Sequence, residues 1–515
     1  MSPLQLMHVV TMRASNINRS DSLESITSSL RAHARQKPNQ TALICLDDSI
    51  SWDQLNRSLD CIAASLREQY PDGEIIAVYL PNSPALVLIF LAGVRAGYNM
   101  QVFDHEWPRD AVYDLLSASD VVCVFAELPL ETDTDVIEIA ASKLRFDQVV
   151  AAICKNTKDE FPTDVNHGGT FYTGFTSGSS GTPKGFCRDQ ASWLSSFENE
   201  QHECPLSPQD VIVAPGALSH SLFMYALVRG LHAGASVIFS RRFAVTKISR
   251  LINQHKATVL YAVPAHIQLL IKTSRVFSSV RYVLSSGAKW PEQMRDVFAA
   301  SFPRAELCEF YGASELSFVA ISKNGENRPV NSVGRAFYGV DVSVRSADGQ
   351  ERLPCDTAGD VFVKSNMLFR GYANAASGCT VAHDGALSVG DVGCLDAASN
   401  LFLLGRADRM LVCSGKNVYP EEIERVLIMH EIVNEVAVLG VTDSKRGHRL
   451  LAVIECDSSG EMAARDLIAH SRRFLPAYKI PSDYRICSHW PRTRSGKTDL
   501  QKLSARIATD GLSTL

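Results

Sequence analysis

The sequence predicts an α/β protein. A large N-terminal domain contains two α/β sheet subdomains and a small β subdomain, and a small mobile α+β C-terminal domain follows. Three observations carry this reading. Short apolar strands alternate with amphipathic helices from residue 41 to about 325. Short β segments with turn residues between them replace that alternation from 330 to 405. The order helix, strand, strand, helix, strand then follows Arg409. The boundaries are set at 1–406 and 407–515.

Taken in order, TALICL and EIIAVYL read as strands, and WDQLNRSLDCIAASLREQY as a helix. ALVLIFLAGV, Ala85 to Val94, is the longest apolar run. It is about half a membrane span and reads as a buried helix, so no integral membrane segment is expected. VVCVFA and QVVAAI read as further strands. Beyond the polar stretch KNTKDEFPTDVNHGG, the segments DVIVAPGAL, ASVIFS, ATVLYAVPA and VRYVLSSGA resume the alternation.

The chain has 515 residues, 46% of them apolar and 21% charged, enough for large cores. A net charge of −5 argues against a bulk electrostatic grip on nucleic acid or anionic membrane. The thirteen cysteines include no C-x-x-C pair, which removes the paired-cysteine zinc patterns and suits a reducing compartment. The first twenty residues lack the charged n-region and long apolar run of a secretory leader, so a cytoplasmic protein is expected.

TSGSSGTPKG, Thr176 to Gly185, follows the strand-like FYTGF. Its glycines let backbone N–H groups turn inward, its hydroxyls donate, and Lys184 adds positive charge, a combination suited to polyphosphate. It is not a Walker loop, because Gly185 follows the lysine. PRTRSGKT, Pro491 to Thr498, approaches the same pattern but has proline in place of the first glycine.

TSGSSGTPKG resembles the signature of the adenylate-forming superfamily, which includes acyl-CoA synthetases, non-ribosomal adenylation domains and firefly luciferase. Further segments match in type and order between residues 176 and 497, and ISWDQLN, LPNSP and LAGVRAG also fit. The resemblance implies that the chain makes an acyl-adenylate from a carboxylic acid and ATP, releases pyrophosphate, and passes the acyl group to a thiol. It assigns Thr176, Ser177, Gly178, Ser179, Ser180, Gly181, Thr182 and Lys184 to the phosphates. In YGASE it sets Tyr311 on adenine beside Gly312 and Ser314, with Glu315 as catalytic carboxylate and Mg²⁺ ligand. Gly287 and Ala288 of SSGAKWP would lie along the adenine. Asp391 of SVGD and Arg406 of LLGRADR would clamp the ribose, Asp408 would be the hinge, and Gly415 would line the thiol tunnel. Lys497 of PRTRSGKT would be the catalytic lysine, a compact charge bridging carboxylate and α-phosphate.

PGALSHSLF resembles the family's substrate gate and places His220 near the acyl carbonyl. Ser221 stands where enzymes that activate amino acids carry aspartate, which points to a fatty, aryl or other non-amino acid. NVYPEEIE favours CoA as acceptor, with the phosphopantetheine arm of a separate acyl carrier protein as the alternative. A non-catalytic adenylate-binding homologue and a luciferase-like oxidase are the readings from other classes. MQVFDHEWP, Ala386 and His448 depart from the usual pattern but touch no residue assigned to ATP.

Overall fold

The computed structural model describes residues 24–154, 164–176, 183–287, 290, 294–326, 329–373, 379–413, 416–443, 447–456, 461–492, 498–509 and 512–514. They form three sheets. A seven-stranded sheet runs in the order Gly371–Tyr372, Lys184–Asp189, Thr170–Thr176, Asn99–Val102, Ile75–Tyr79, Val121–Ala126, Asp135–Glu138. A fifteen-stranded sheet has a parallel centre of Thr41–Cys45, Ser236–Phe239, Val211–Ala214, Val259–Ala262, Tyr282–Ser285 and Glu306–Ala313. The short β segments beyond residue 330 continue that sheet, joined through antiparallel Ser317–Lys323, Gly334–Ala336 and Asn400–Arg406. A six-stranded sheet with helices Pro420–Leu427 and Glu461–Arg472 makes the C-terminal part.

Two expectations fail. Gln148–Ile153 belongs to a helix, Phe146–Ile153. A short apolar run carries no period that separates strand from buried helix. Its N-terminus is fixed by the distant Asp48 carboxylate, which accepts the Phe146 N–H at 2.8 Å, together with the Gln148 side chain, which accepts the Arg145 N–H at 3.0 Å. Sheet membership also departs from chain order. Thr41–Cys45 joins the sheet of the later strands, and Thr170–Asp189 joins the earlier one.

The apolar run at 85–94 is a helix, Pro84–Ala96, with every residue buried. Pro84 starts it, Ser83 caps it, and Gly97 ends it at φ 89°, a conformation glycine adopts without cost. Its side chains share one core with Val78 and Tyr172 of the seven-stranded sheet and Val237 and Tyr261 of the fifteen-stranded sheet. Both sheets therefore close on this helix, and their strand ends meet nearby.

Asn82, 4% exposed, fixes that meeting. Its amide donates to the carbonyls of Gly216 at 2.8 Å and Ser240 at 2.9 Å, and its oxygen accepts the Leu218 N–H at 2.8 Å. One side chain thus ties the loop after Ile75–Tyr79 to loops leaving two strands of the other sheet. The C-terminal helix Pro420–Leu427 docks on Asn400–Arg406, where Arg425 donates to the carbonyls of Leu403 at 2.5 Å and Leu404 at 3.0 Å. Arg409 pairs with Glu421 at 3.0 Å and Glu424 at 2.8 Å.

Candidate active site

The site lies where the parallel strands end, the usual position for ligands in open α/β sheets. The hairpin Thr170–Thr176 / Lys184–Asp189 sets Thr176 opposite Lys184 at the mouth of the glycine-rich loop. Ser177, Gly178, Ser179, Ser180, Gly181 and Thr182 lie outside the described residues, as do Ala288, Gly415 and Lys497. Lys184 sits 5.9 Å over the ring of Tyr372, whose strand pairs with Phe186 and Cys187.

Glu306–Ala313 carries the next group. Its register shifts between Tyr311 and Gly312. A Cβ on Gly312 would stand 2.1 Å from the Ser317 carbonyl oxygen, so the bulge requires glycine there. The bulge delivers Ser314 and Glu315 to the site. Tyr372 Oη donates to Glu315 Oε1 at 2.8 Å, and the Glu315 carbonyl accepts the Phe369 N–H at 2.9 Å. Ser314 Oγ lies 3.1 Å from Ser221 Oγ.

Arg188 holds this corner from beneath. Its guanidinium donates to the carbonyls of Ser314 at 3.1 Å and Met367 at 2.8 Å, and to Ser192 Oγ at 3.2 Å. Burial pulls it down to about 10. Sequence reasoning named neither Arg188, Asn82 nor Tyr372. RGY, Arg370 to Tyr372, was the available signal for Tyr372; nothing local marked Arg188.

Asp391 and Arg406 face each other across paired strands, 3.5 Å apart. The Tyr311 hydroxyl donates to Asp391, and burial and that carboxylate push the phenol well above its ordinary value. Arg406 Nε also reaches Asp408 at 3.3 Å, in the exposed single turn Ala407–Arg409. Gly287 follows Tyr282–Ser285 with φ 94°. His220 is the residue before the helix Ser221–His232, and its carbonyl accepts the N–H groups of Phe223 and Met224.

The Cys379 thiol lies 3.5 Å from the Tyr372 hydroxyl, between these motifs in sequence. The Cys379 thiol is pushed up by burial and feels the charges of Glu315, Lys184 and Arg406 together. Lys184, Glu315 and Arg406, from three motifs spread between residues 184 and 406, thus all bear on one half-buried thiol. Cationic Lys184 and Arg406 suit phosphate, the Asp391 carboxylate suits hydroxyls, and half-buried Glu315 is a hard oxygen donor of the kind Mg²⁺ takes alongside phosphate oxygens. Among the described residues, no cluster of three or more His, Cys, Asp or Glu is placed to hold a metal, and no helix is long and apolar enough to cross a membrane.

The AMP-binding enzyme family matches residues 30–373, and the AMP-binding enzyme C-terminal domain matches 422–497. The chain belongs to the family of AMP-binding enzymes. It is 33% identical over 480 residues to YhfT of Bacillus subtilis (strain 168), named an uncharacterized acyl-CoA ligase, covering 92% of this chain and 96% of that protein. It is 26% identical over 491 residues to the long-chain-fatty-acid–CoA ligase FadD13 of Mycobacterium tuberculosis, covering 91% of this chain and 95% of the relative. The o-succinylbenzoate CoA synthetase MenE of Bacillus subtilis, solved with its acyl-adenylate, superposes with a TM-score of 0.81 at 23% identity over 92% of this chain and 97% of that one. The ATP-bound MatB of Rhodopseudomonas palustris superposes with a TM-score of 0.79 at 22% identity, covering 93% and 98%. These two share the fold. The expected superfamily and the expected two-part α/β architecture are both borne out.

Proposed function

We propose that this site adenylates a non-amino carboxylic acid and hands the acyl group to CoA. The chain is an ATP-dependent acid–CoA ligase of the AMP-forming kind. The convergence of Thr176 and Lys184, Tyr311 to Glu315, and Asp391 with Arg406 on one point carries the residue assignment.

Thr176, Lys184 and the loop between them receive the triphosphate. Asp391, braced by Tyr311 and Arg406, takes the ribose hydroxyls, while Gly287, with only Val263 3.7 Å from where a Cβ would stand, leaves room for the base. Glu315, oriented by Tyr372, would hold Mg²⁺, which neutralises phosphate charge when bound. The acid's carboxylate oxygen attacks the α-phosphorus, the bond to pyrophosphate breaks, and pyrophosphate leaves. Lys497 stabilises the charge developing between carboxylate and phosphate. The CoA sulfur then attacks the acyl carbon as its thiol proton passes to water, the acyl C–O bond to the phosphate breaks, and AMP leaves with that oxygen. His220, the residue before the helix Ser221–His232, is the side chain we propose beside that carbon.

The division at 406/407, with Asp408 as the hinge of a mobile C-terminal part, belongs to the same proposal. So does a cytoplasmic location, which suits thirteen free cysteines. Acyl transfer from the adenylate to free CoA and to a holo-carrier protein is the test of the acceptor. Transfer to CoA alone is the expected result, and transfer to the carrier alone would reassign it.

A further inference from the structure

We infer that Arg188 is a positioning residue for adenylation: its guanidinium sets the spacing between the Ser314–Glu315 corner and the Met367–Tyr372 segment, and so holds Glu315 in place for Mg²⁺. The inference rests on the proposed role of Glu315 as the Mg²⁺ ligand.

Arg188 lies on the strand Lys184–Asp189, four residues beyond Lys184. Two of its nitrogens span two separate segments. Nη1 donates to the Ser314 carbonyl at 3.1 Å, and Nη2 to the Met367 carbonyl at 2.8 Å. The first carbonyl belongs to the peptide bond that leads into Glu315. The second stands five residues before Tyr372, whose hydroxyl donates to the Glu315 carboxylate at 2.8 Å. The same segments meet again where the Phe369 N–H donates to the Glu315 carbonyl at 2.9 Å. The strand is itself tied to the second segment, since the Arg370 N–H donates to the Cys187 carbonyl at 2.9 Å and the Ala373 N–H to the Gly185 carbonyl at 2.7 Å. The guanidinium therefore fixes the distance between Glu315 and the tyrosine that aims it.

The electrostatics point to a role beyond packing. Arg188 is 4% exposed. Among the described residues no carboxylate lies at ion-pair distance from it; Ser192 Oγ, at 3.2 Å, is its third partner. The Asp189 and Glu315 carboxylates act on it from further away. A buried cation held by carbonyls and a hydroxyl is costly, and an apolar side chain of similar length would fill the space more cheaply. Burial pulls the guanidinium down to about 10, so it stays charged at neutral pH. An apolar chain cannot supply the planar fork, two donors fixed on two carbonyls, and lysine keeps the charge but offers a single nitrogen.

The test measures ATP binding by calorimetry, with Mg²⁺ and with excess EDTA, alongside thermal unfolding. The wild-type chain is compared with Arg188→Met, Arg188→Lys, Tyr372→Phe and the double variant Arg188→Met with Tyr372→Phe. The wild type should bind ATP more tightly with Mg²⁺ than in EDTA. Arg188→Met should weaken binding with Mg²⁺ at least about tenfold, as for other groups that orient metal ligands, and binding in EDTA by less than about threefold. Its thermal stability should equal or exceed that of the wild type, because a buried charge is gone. Arg188→Lys should show the same split. The double variant should lose little more than either single variant, because both act through Glu315. Equal losses with and without metal, or losses that multiply in the double variant, overturn the inference and leave the ligase reading standing. So does a wild type that binds ATP equally in both conditions. If Arg188→Met alone fails to fold, Arg188→Lys decides; if both fail, Arg188 serves the fold alone and the inference is overturned. Failure of the wild type to bind ATP in either condition overturns the ligase reading itself.

Discussion

The Tyr372 hydroxyl donates a 2.8 Å hydrogen bond to the Glu315 carboxylate, while Lys184 lies 5.9 Å over the Tyr372 ring. One side chain thus orients the carboxylate assigned to Mg²⁺ and packs against the lysine assigned to phosphate. Tyr372→Phe keeps the ring and removes the donor. The Mg²⁺ concentration giving half-maximal pyrophosphate release should rise about tenfold, as for other groups that orient metal ligands, with thermal stability little changed. A Mg²⁺ titration checks this.

Gly312→Ala should disable the site. The added methyl would enter within 2.1 Å of a backbone oxygen, which cannot swing away as a side chain can. A loss of about 2–4 kcal/mol in stability is expected, or a displaced bulge with pyrophosphate release reduced at least about tenfold. Denaturant unfolding and the activity assay distinguish the two.

Lys497→Ala should cripple adenylation far more than transfer from supplied acyl-adenylate. Asp408→Pro should do the reverse, because proline fixes φ at the proposed hinge. Single-turnover measurements of each half-reaction provide the readout. Equal losses in both steps would contradict either role.

Acid should destabilise the fold through two half-buried histidines. Burial lowers His232 and His266 to about 4, with Arg229 adding to the effect on His232. The unfolded chain titrates near 6.5 and binds more protons below that point. Stability is thus fully present above pH 6.5 and is lost as the pH falls towards 4, by about 1–3 kcal/mol for each group. His232→Gln combined with His266→Gln should flatten this limb in thermal unfolding measured from pH 7 to pH 4.

Much of this protein was legible residue by residue. The buried helix at 84–96 follows from its apolar run, and the strand leading into the glycine loop follows from FYTGF. Gln148–Ile153 was not, because the helix start there depends on Asp48, far away in sequence. Arg188 and Asn82 were missed for a related reason. Their partners, Ser314, Met367, Gly216 and Ser240, are backbone carbonyls brought near only by packing, and any residue type can supply a carbonyl. Glu200 shows the same limit. On a helix it reads as an exposed charge, and only the fold reveals two phenols and a guanidinium around it.

The central claim is adenylation of a carboxylic acid at this site. Pyrophosphate release with Mg·ATP and hydroxylamine, across acids running from butanoate to hexadecanoate and including benzoates and cinnamates, tests it most directly. Hydroxylamine replaces the thiol, so the assay does not depend on the acceptor. A strong, acid-dependent release confined to one class is the expected result, with Glu315→Gln reducing it at least about tenfold. Silence across the whole panel, with ATP still bound, would contradict the account.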